Sequence, residues 1–209
     1  APGSLRRIGL GYDDVAKINP GIVYASISGY GQTGPYADKP AHDPQIQGMS
    51  GLMDINGDAD GPPLKVGFYI GDLVTPIFAC YAILAALREK DRTGQGQYLD
   101  VSMVDTLVSL MFMENLEENI EDGVPLRTGN ISRSGPTGLY SAKNGELSVT
   151  MTSDDQWKRF CNALEAPQLS EDERFSTYVS RTVNVESARQ EIQRLIGQLT
   201  LEEALKRLD

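Results

Sequence analysis

Apolar and polar positions divide the chain into two differently patterned halves. Residues 10–17 carry a short helical pattern that stops at Asn19-Pro20-Gly21, a turn signal. Residues 22–28 (IVYASIS) are nearly continuous, rich in β-branched side chains and flanked by Gly21 and Gly29, which predicts a buried parallel strand. Gly29-Tyr30-Gly31-Gln32-Thr33-Gly34-Pro35 then reads as a glycine-rich loop at the strand's carboxyl end, where open α/β sheets hold ligands. It has neither the Gly-Lys-Ser/Thr ending of a phosphate loop nor the dinucleotide-binding glycine spacing. Residues 45–53 include Gly48, Ser50 and Gly51, small enough for close helix packing. The chain is organised around residues 64–90: an apolar approach, a Gly71-Asp72 corner, and a helix apolar nearly all the way round until Arg88-Glu89-Lys90. That pattern predicts a helix buried inside a domain. Residues 97–103 (QYLDVSM) alternate, with Leu99, Val101 and Met103 on one face, and predict a strand; residues 104–121 predict a helix with an acidic end. Strand, glycine loop, helices, strand and helix make an α/β order.

The pattern changes after residue 120. Residues 121–138 are polar and rich in glycine and proline, with Arg127 and Arg133, and read as a linker. Residues 139–142 and 146–152 flank Lys143-Asn144-Gly145, a hairpin signal. Ser153-Asp154-Asp155 opens a helix that carries Trp157, Phe160, Cys161 and Leu164 at helical spacing, the marks of a core face. Helices are predicted over 186–199 and 201–208, the second with Thr200 and Glu203 as a capping box. The expected organisation is therefore an α/β domain over 1–120, a linker over 121–138, and part of a small α+β domain over 139–209.

Composition narrows the function classes. A chain of 209 residues with 40% hydrophobic and 23% charged positions is that of a globular protein. A net charge of −10 argues against nucleic acid as a partner, since phosphate binding needs a basic footprint. The longest apolar run, residues 74–87, falls short of the roughly 18 residues a membrane span needs, so no membrane partner is expected. Cys80 and Cys161 sit among apolar neighbours and read as small buried hydrophobes in a reducing compartment, the cytoplasm. No second histidine or cysteine pair stands at ligand spacing, so no metal site is expected. The chain starts without methionine and stops inside a helical pattern, which suggests an internal fragment.

Two residues stand out chemically. Asp72 is a carboxylate at the mouth of the central helix beside a glycine; it is either the helix cap or the group that does the chemistry. His42, the lone histidine, is either a surface or core residue or an acid–base group.

Taken together, the motifs resemble class III CoA-transferases, the CaiB/BaiF family, which includes formyl-CoA transferase, carnitine CoA-transferases and α-methylacyl-CoA racemase. The matching text is Pro2-Gly3-Ser4-Leu5 with Arg7 and Gly9, Asn19-Pro20, Ser28 to Pro35, Ser50-Gly51, Gly71-Asp72, Ala85-Ala86-Leu87, Thr93 to Gln97 and Val101-Ser102-Met103. Arg127, Gly129-Asn130, Asp155-Gln156-Trp157 and Arg174-Phe175 extend it into the second half. The resemblance implies a Rossmann-like parallel-sheet large domain and a nucleophilic role for Asp72, which would attack an acyl-CoA thioester and carry CoA to a carboxylic acid. A carboxylate is ionised at neutral pH and needs no general base for this; the positive end of the helix and nearby glycine N–H groups are expected to stabilise the developing charge. It further implies Arg7 near the CoA phosphates, Met103 in the CoA pocket, and Gly31 and Gly34 beside the active site. In the family's racemases a His-Asp pair stands where His42-Asp43 stands here. The alternative is thus a racemase in which His42 and Asp72 exchange a proton, with Asp154 near the position of a supporting glutamate. A second alternative is a truncated or silent CoA-binding domain. The implied partners are acyl-CoA and carboxylic acids as substrates, with no permanently bound cofactor, in a family of interlocked homodimers.

Overall fold

The computed structural model describes residues 2–112, 114, 120–121, 123, 126–130, 132 and 135–208. The chain forms two compact units that divide between Arg127 and Thr128. The helix expected over 104–121 stops at Leu110, with Met111 as its C-cap; much of the stretch beyond it and of the expected linker lies outside the described residues.

In the first unit, β1 (Val23–Ser28) pairs in parallel with β2 (Gln97–Ser102), Val23 opposite Gln97 and Ser28 opposite Ser102. Parallel pairing requires a long crossover, and here it carries α2 (Asp43–Met49), α3 (Leu52–Ile55) and α4 (Ile70–Thr93). The mixed α/β class read from the sequence is the observed one. Both strands start at a point only glycine allows: a Cβ on Gly96 would lie 1.9 Å from the carbonyl oxygen of Ile22. The strand expected over 97–103 ends one residue early. Ser102 caps α5 (Met103–Leu110), its Oγ accepting from the Asp105 N–H at 3.0 Å. Met103 therefore opens a helix, because a serine cap outweighs the period-two alternation.

α4 departs most from expectation. Its buried residues are small, Gly71, Thr75, Ala79 and Ala86, and they let the helix lie close to β1, β2 and α5. Its large apolar residues point outward: Leu73 is 59% exposed, Tyr81 67% and Leu84 63%. The helix is thus half-covered, not buried, and Cys80 is exposed with that outer face. At 24 residues it is also long and apolar enough to cross a bilayer. The sequence reading missed this because the helix extends past the apolar run at both ends, over residues 70–73 and 88–93.

The second unit closes a core of its own. β3 (Gly138–Ala142) and β4 (Gly145–Val149) form the predicted hairpin, with Ala142 opposite Gly145 and Lys143-Asn144 as its two-residue turn. Ser153 caps the helix Asp154–Ala163 through its Oγ. That helix delivers Trp157, Phe160 and Cys161 to a cluster with Tyr140, Phe175, Ile192 and Ile196. The Thr200–Glu203 capping box forms as expected, with bonds of 2.8 and 3.2 Å. Two short helices, Gln168–Glu171 and Tyr178–Val183, carry too little periodicity to be read in advance. The second brings in Arg181, fully buried, whose guanidinium donates to Asp154 and to the Phe175 carbonyl at 2.8 Å each and lies 5.3 Å from the Trp157 ring centre.

Candidate active site

The carboxyl ends of β1 and β2 and the N-termini of α2, α4 and α5 meet in one corner of the first unit. The glycine loop leaves β1 at Gly29, where a Cβ would lie 2.1 Å from that of Ala41. The Gly29 carbonyl accepts from the Val104 N–H of α5 at 3.1 Å. Gly31 and Gly34 hold positive φ, +88° and +96°, a region that favours glycine. Between them the Gln32 N–H donates to Asp100 Oδ2 at 2.8 Å, pinning the loop to β2.

Asp72 lies in the first turn of α4, and it is not the cap. The capping group is Asp43, 2% exposed, at the start of α2. Its Oδ2 accepts from the Gly71 N–H at 2.6 Å and the Asp72 N–H at 3.2 Å, while its Oδ1 accepts from Gln47 Nε2 at 2.5 Å. The Ile70 and Leu73 N–H groups bond to the carbonyls of Phe68 and Tyr69. All four leading N–H groups of α4 are therefore occupied, which corrects the expectation that this helix terminus offers donors to a developing charge. The Asp72 carboxylate itself is exposed and has no hydrogen-bond or ion-pair partner among the described residues. Pro76, one turn on, has no N–H to return to the Asp72 carbonyl, so the helical ladder lacks that bond. In the sequence Asp43 is overshadowed by the more conspicuous histidine beside it.

The other expected residues are only partly gathered here. Met103 is: a Cβ on Gly71 would meet its Cε at 3.1 Å and Asp43 Oδ2 at 3.0 Å, so the glycine lets all three elements close up. His42 is exposed at the N-terminus of α2, immediately before Asp43, with its backbone N–H on Gln45 Oε1. Arg7 is exposed and donates to Ser4 Oγ at 3.1 Å. A cavity of about 530 Å³ in this unit is lined by Ser4, Arg6, Tyr24, Tyr98 and Asp100 among others, and by Gln32 and Thr33 of the glycine loop. Neither Arg7, His42 nor Asp72 lines it. Asp154, the racemase-like acid, is paired with Arg181 in the second unit.

The family model of CoA-transferase family III matches residues 1–209. The chain belongs to this family. It is 36% identical over 187 residues to the succinate–glutarate CoA-transferase of Agrobacterium fabrum, covering 89% of this chain and 47% of that protein. It is 34% identical over 198 residues to the acetyl-CoA:oxalate CoA-transferase of Acetobacter aceti, covering 94% of this chain and 51% of that protein. Among solved structures, a CaiB/BaiF family protein from Brucella suis is 31% identical with a TM-score of 0.77, over 99% of this chain and 55% of that one. The chain thus spans about half the length of the curated relatives it matches. The CoA-transferase family III fold is the frame in which the corner around Asp72 is placed.

Proposed function

We propose that the protein transfers coenzyme A from an acyl-CoA thioester to a carboxylic acid, with Asp72 as the covalent nucleophile. The observation that carries this reading is an exposed aspartate carboxylate, free of partners among the described residues, at the corner where strand ends and helix N-termini converge. Asp43 has taken over the capping role, so Asp72 is left without a structural one. Relatives named for succinate, glutarate and oxalate transfer support short dicarboxylic acids and their CoA thioesters as the substrate class.

In this reading one Asp72 oxygen attacks the thioester carbonyl and the C–S bond breaks, so that CoA thiolate departs as the acyl–aspartyl mixed anhydride forms. The thiolate then attacks the aspartyl carbonyl, giving an aspartyl-CoA thioester and releasing the first acid as its carboxylate. The acceptor carboxylate attacks that thioester and re-forms a mixed anhydride, and the thiolate takes the acceptor's acyl group. Asp72 is regenerated and no proton or redox partner is consumed. Gly31 and Gly34 give the loop its approach to the substrate, Met103 packs behind Gly71, His42 flanks the corner, and Arg7 serves the CoA phosphates. A cytoplasmic homodimer without a resident cofactor goes with this reading.

The test is mass spectrometry of the full chain incubated with succinyl-CoA, with hydroxylamine trapping. A CoA or hydroxamate adduct on Asp72 is expected; full activity in Asp72→Ala with no adduct would sink the proposal. Deuterium entering the α-carbon of a 2-methylacyl-CoA in deuterated water would move the assignment to a racemase working through His42 and Asp72.

A further inference from the structure

We infer that Asp43 is a positioning residue for Asp72, an inference that rests on the nucleophilic role proposed above. A buried carboxylate is costly to keep unless its oxygens are filled with donors. Both Asp43 oxygens are filled, and the donors are chosen in a particular way. Oδ2 takes the N–H of Asp72 itself and that of Gly71, while Oδ1 takes Gln47 Nε2. Gln47 is fully buried and is held in turn: its Nε2 also donates to the Phe68 carbonyl at 3.3 Å, and its Oε1 accepts from the Val66 N–H at 2.8 Å. The approach to α4, its first turn and the start of α2 are therefore clamped on one carboxylate–amide pair.

Two consequences follow for the chemistry. The backbone of Asp72 is fixed by its own N–H at the one place where Pro76 withholds the usual helical bond from its carbonyl. The positive end of α4 is also already satisfied by an anion, so an incoming acid or thioester is not drawn onto the helix terminus in competition with the Asp72 carboxylate. Since a misplacement of about 1 Å costs on the order of 10²-fold in rate, the clamp matters to the attack step more than to binding.

The test is Asp43→Asn in the full chain. Asparagine keeps the volume but has a single acceptor oxygen, so it cannot serve both the α4 N–H groups and Gln47. With succinyl-CoA, adduct formation on Asp72 should slow by about 10- to 100-fold, with succinyl-CoA affinity changed less than about twofold and the melting temperature close to that of the wild type. Wild-type adduct rates in a folded Asp43→Asn variant overturn the positioning role and leave the proposed function standing. Absence of an adduct in the wild type overturns both. Parallel loss of melting temperature, affinity and rate would make Asp43 a folding residue only. Should Asp43→Asn fail to fold, Gln47→Met removes the donor to Oδ1 at similar volume. It is expected to slow the adduct several-fold, and misfolding of both variants overturns the inference.

Discussion

The two units solve the same problem, what to do with large apolar side chains, in opposite ways. The second unit buries them: Trp157, Phe160, Phe175, Ile192 and Ile196 are inside, with helix caps and a hairpin turn closing the outside. The first unit turns them out along α4 and buries glycine, threonine and alanine instead. Small inward residues bring the backbone of α4 close to the strands and to Met103, Leu107 and Asp43, and this closeness builds the corner around Asp72. The outer face, with Leu73, Ile77, Tyr81 and Leu84 all more than half exposed, is left open. The larger apolar cluster among the described residues thus lies in the second unit, and the proposed site in the first.

The sharpest way to break this contrast is to remove the central residue of each. Asp72→Ala should cut CoA transfer by about 10⁴-fold or more, as loss of a covalent nucleophile does. Its stability to urea should stay within about 0.5 kcal/mol of the wild type, because the side chain is exposed and unpartnered among the described residues. Trp157→Ala should do the reverse. The ring is 1% exposed and stacks on Phe160 at 6.0 Å, so its loss should cost about 3–5 kcal/mol in the unfolding of residues 128–209. Urea titration followed by hydrogen exchange would assign the loss to one unit; a loss shared equally by both would undo the contrast.

How far these features could be read in advance depended on whether they were local. Strand β1, the Asn144-Gly145 hairpin, the Ser153 cap and the Thr200–Glu203 box each depend on a few neighbouring residues, and each appears where the sequence put it, although β1 is not the buried strand expected: its residues are half-buried and Ile27 is 53% exposed. The orientation of α4 did not follow from its pattern, since a helix apolar on every side carries no information about which face turns inward. The sequence left Asp72 open as cap or reactive group, because it sits at the expected place for a cap, while the group that fills the site lies 29 residues earlier. Asp72 itself was legible, as a lone carboxylate beside a glycine, but that its side chain has no capping role shows only in the structure, where Asp43 accepts from its N–H.

Gly71→Ala probes that dependence with a smaller effect. Alanine is the better helix former by up to about 1 kcal/mol, yet its methyl would come within 3.0 Å of Asp43 Oδ2 and 3.1 Å of Met103 Cε. Overpacking of this kind costs about 1–3 kcal/mol, so it should outweigh the propensity gain. The variant should be modestly less stable, with adduct formation reduced together with the Asp43 contact. A variant that is stabilised and fully active would show that the corner can open without consequence.

The last comparison is the most direct, because each unit carries one cysteine. Cys80 is exposed on the outer face of α4 and should react with a thiol reagent at neutral pH, giving one equivalent in the folded 209-residue chain. Cys161 is fully buried, and burial pushes its thiol from 9.0 up to about 12, so it should react only after unfolding. The unfolded chain releases the Cys161 proton from about pH 9, while the folded chain holds it to about 12. Stability attributable to this group is therefore complete below pH 9 and is lost as pH rises toward 12, by at most about 1.4 kcal/mol per pH unit. Burial raises Tyr140 in the same direction, and it adds to the alkaline loss in the same unit. Cys161→Ala should flatten the fall in stability between pH 9 and 11, and Cys80→Ala should leave it unchanged. If Cys80 proves unreactive in the folded chain, the outer face of α4 is covered after all, and the division between an open unit and a closed one no longer holds.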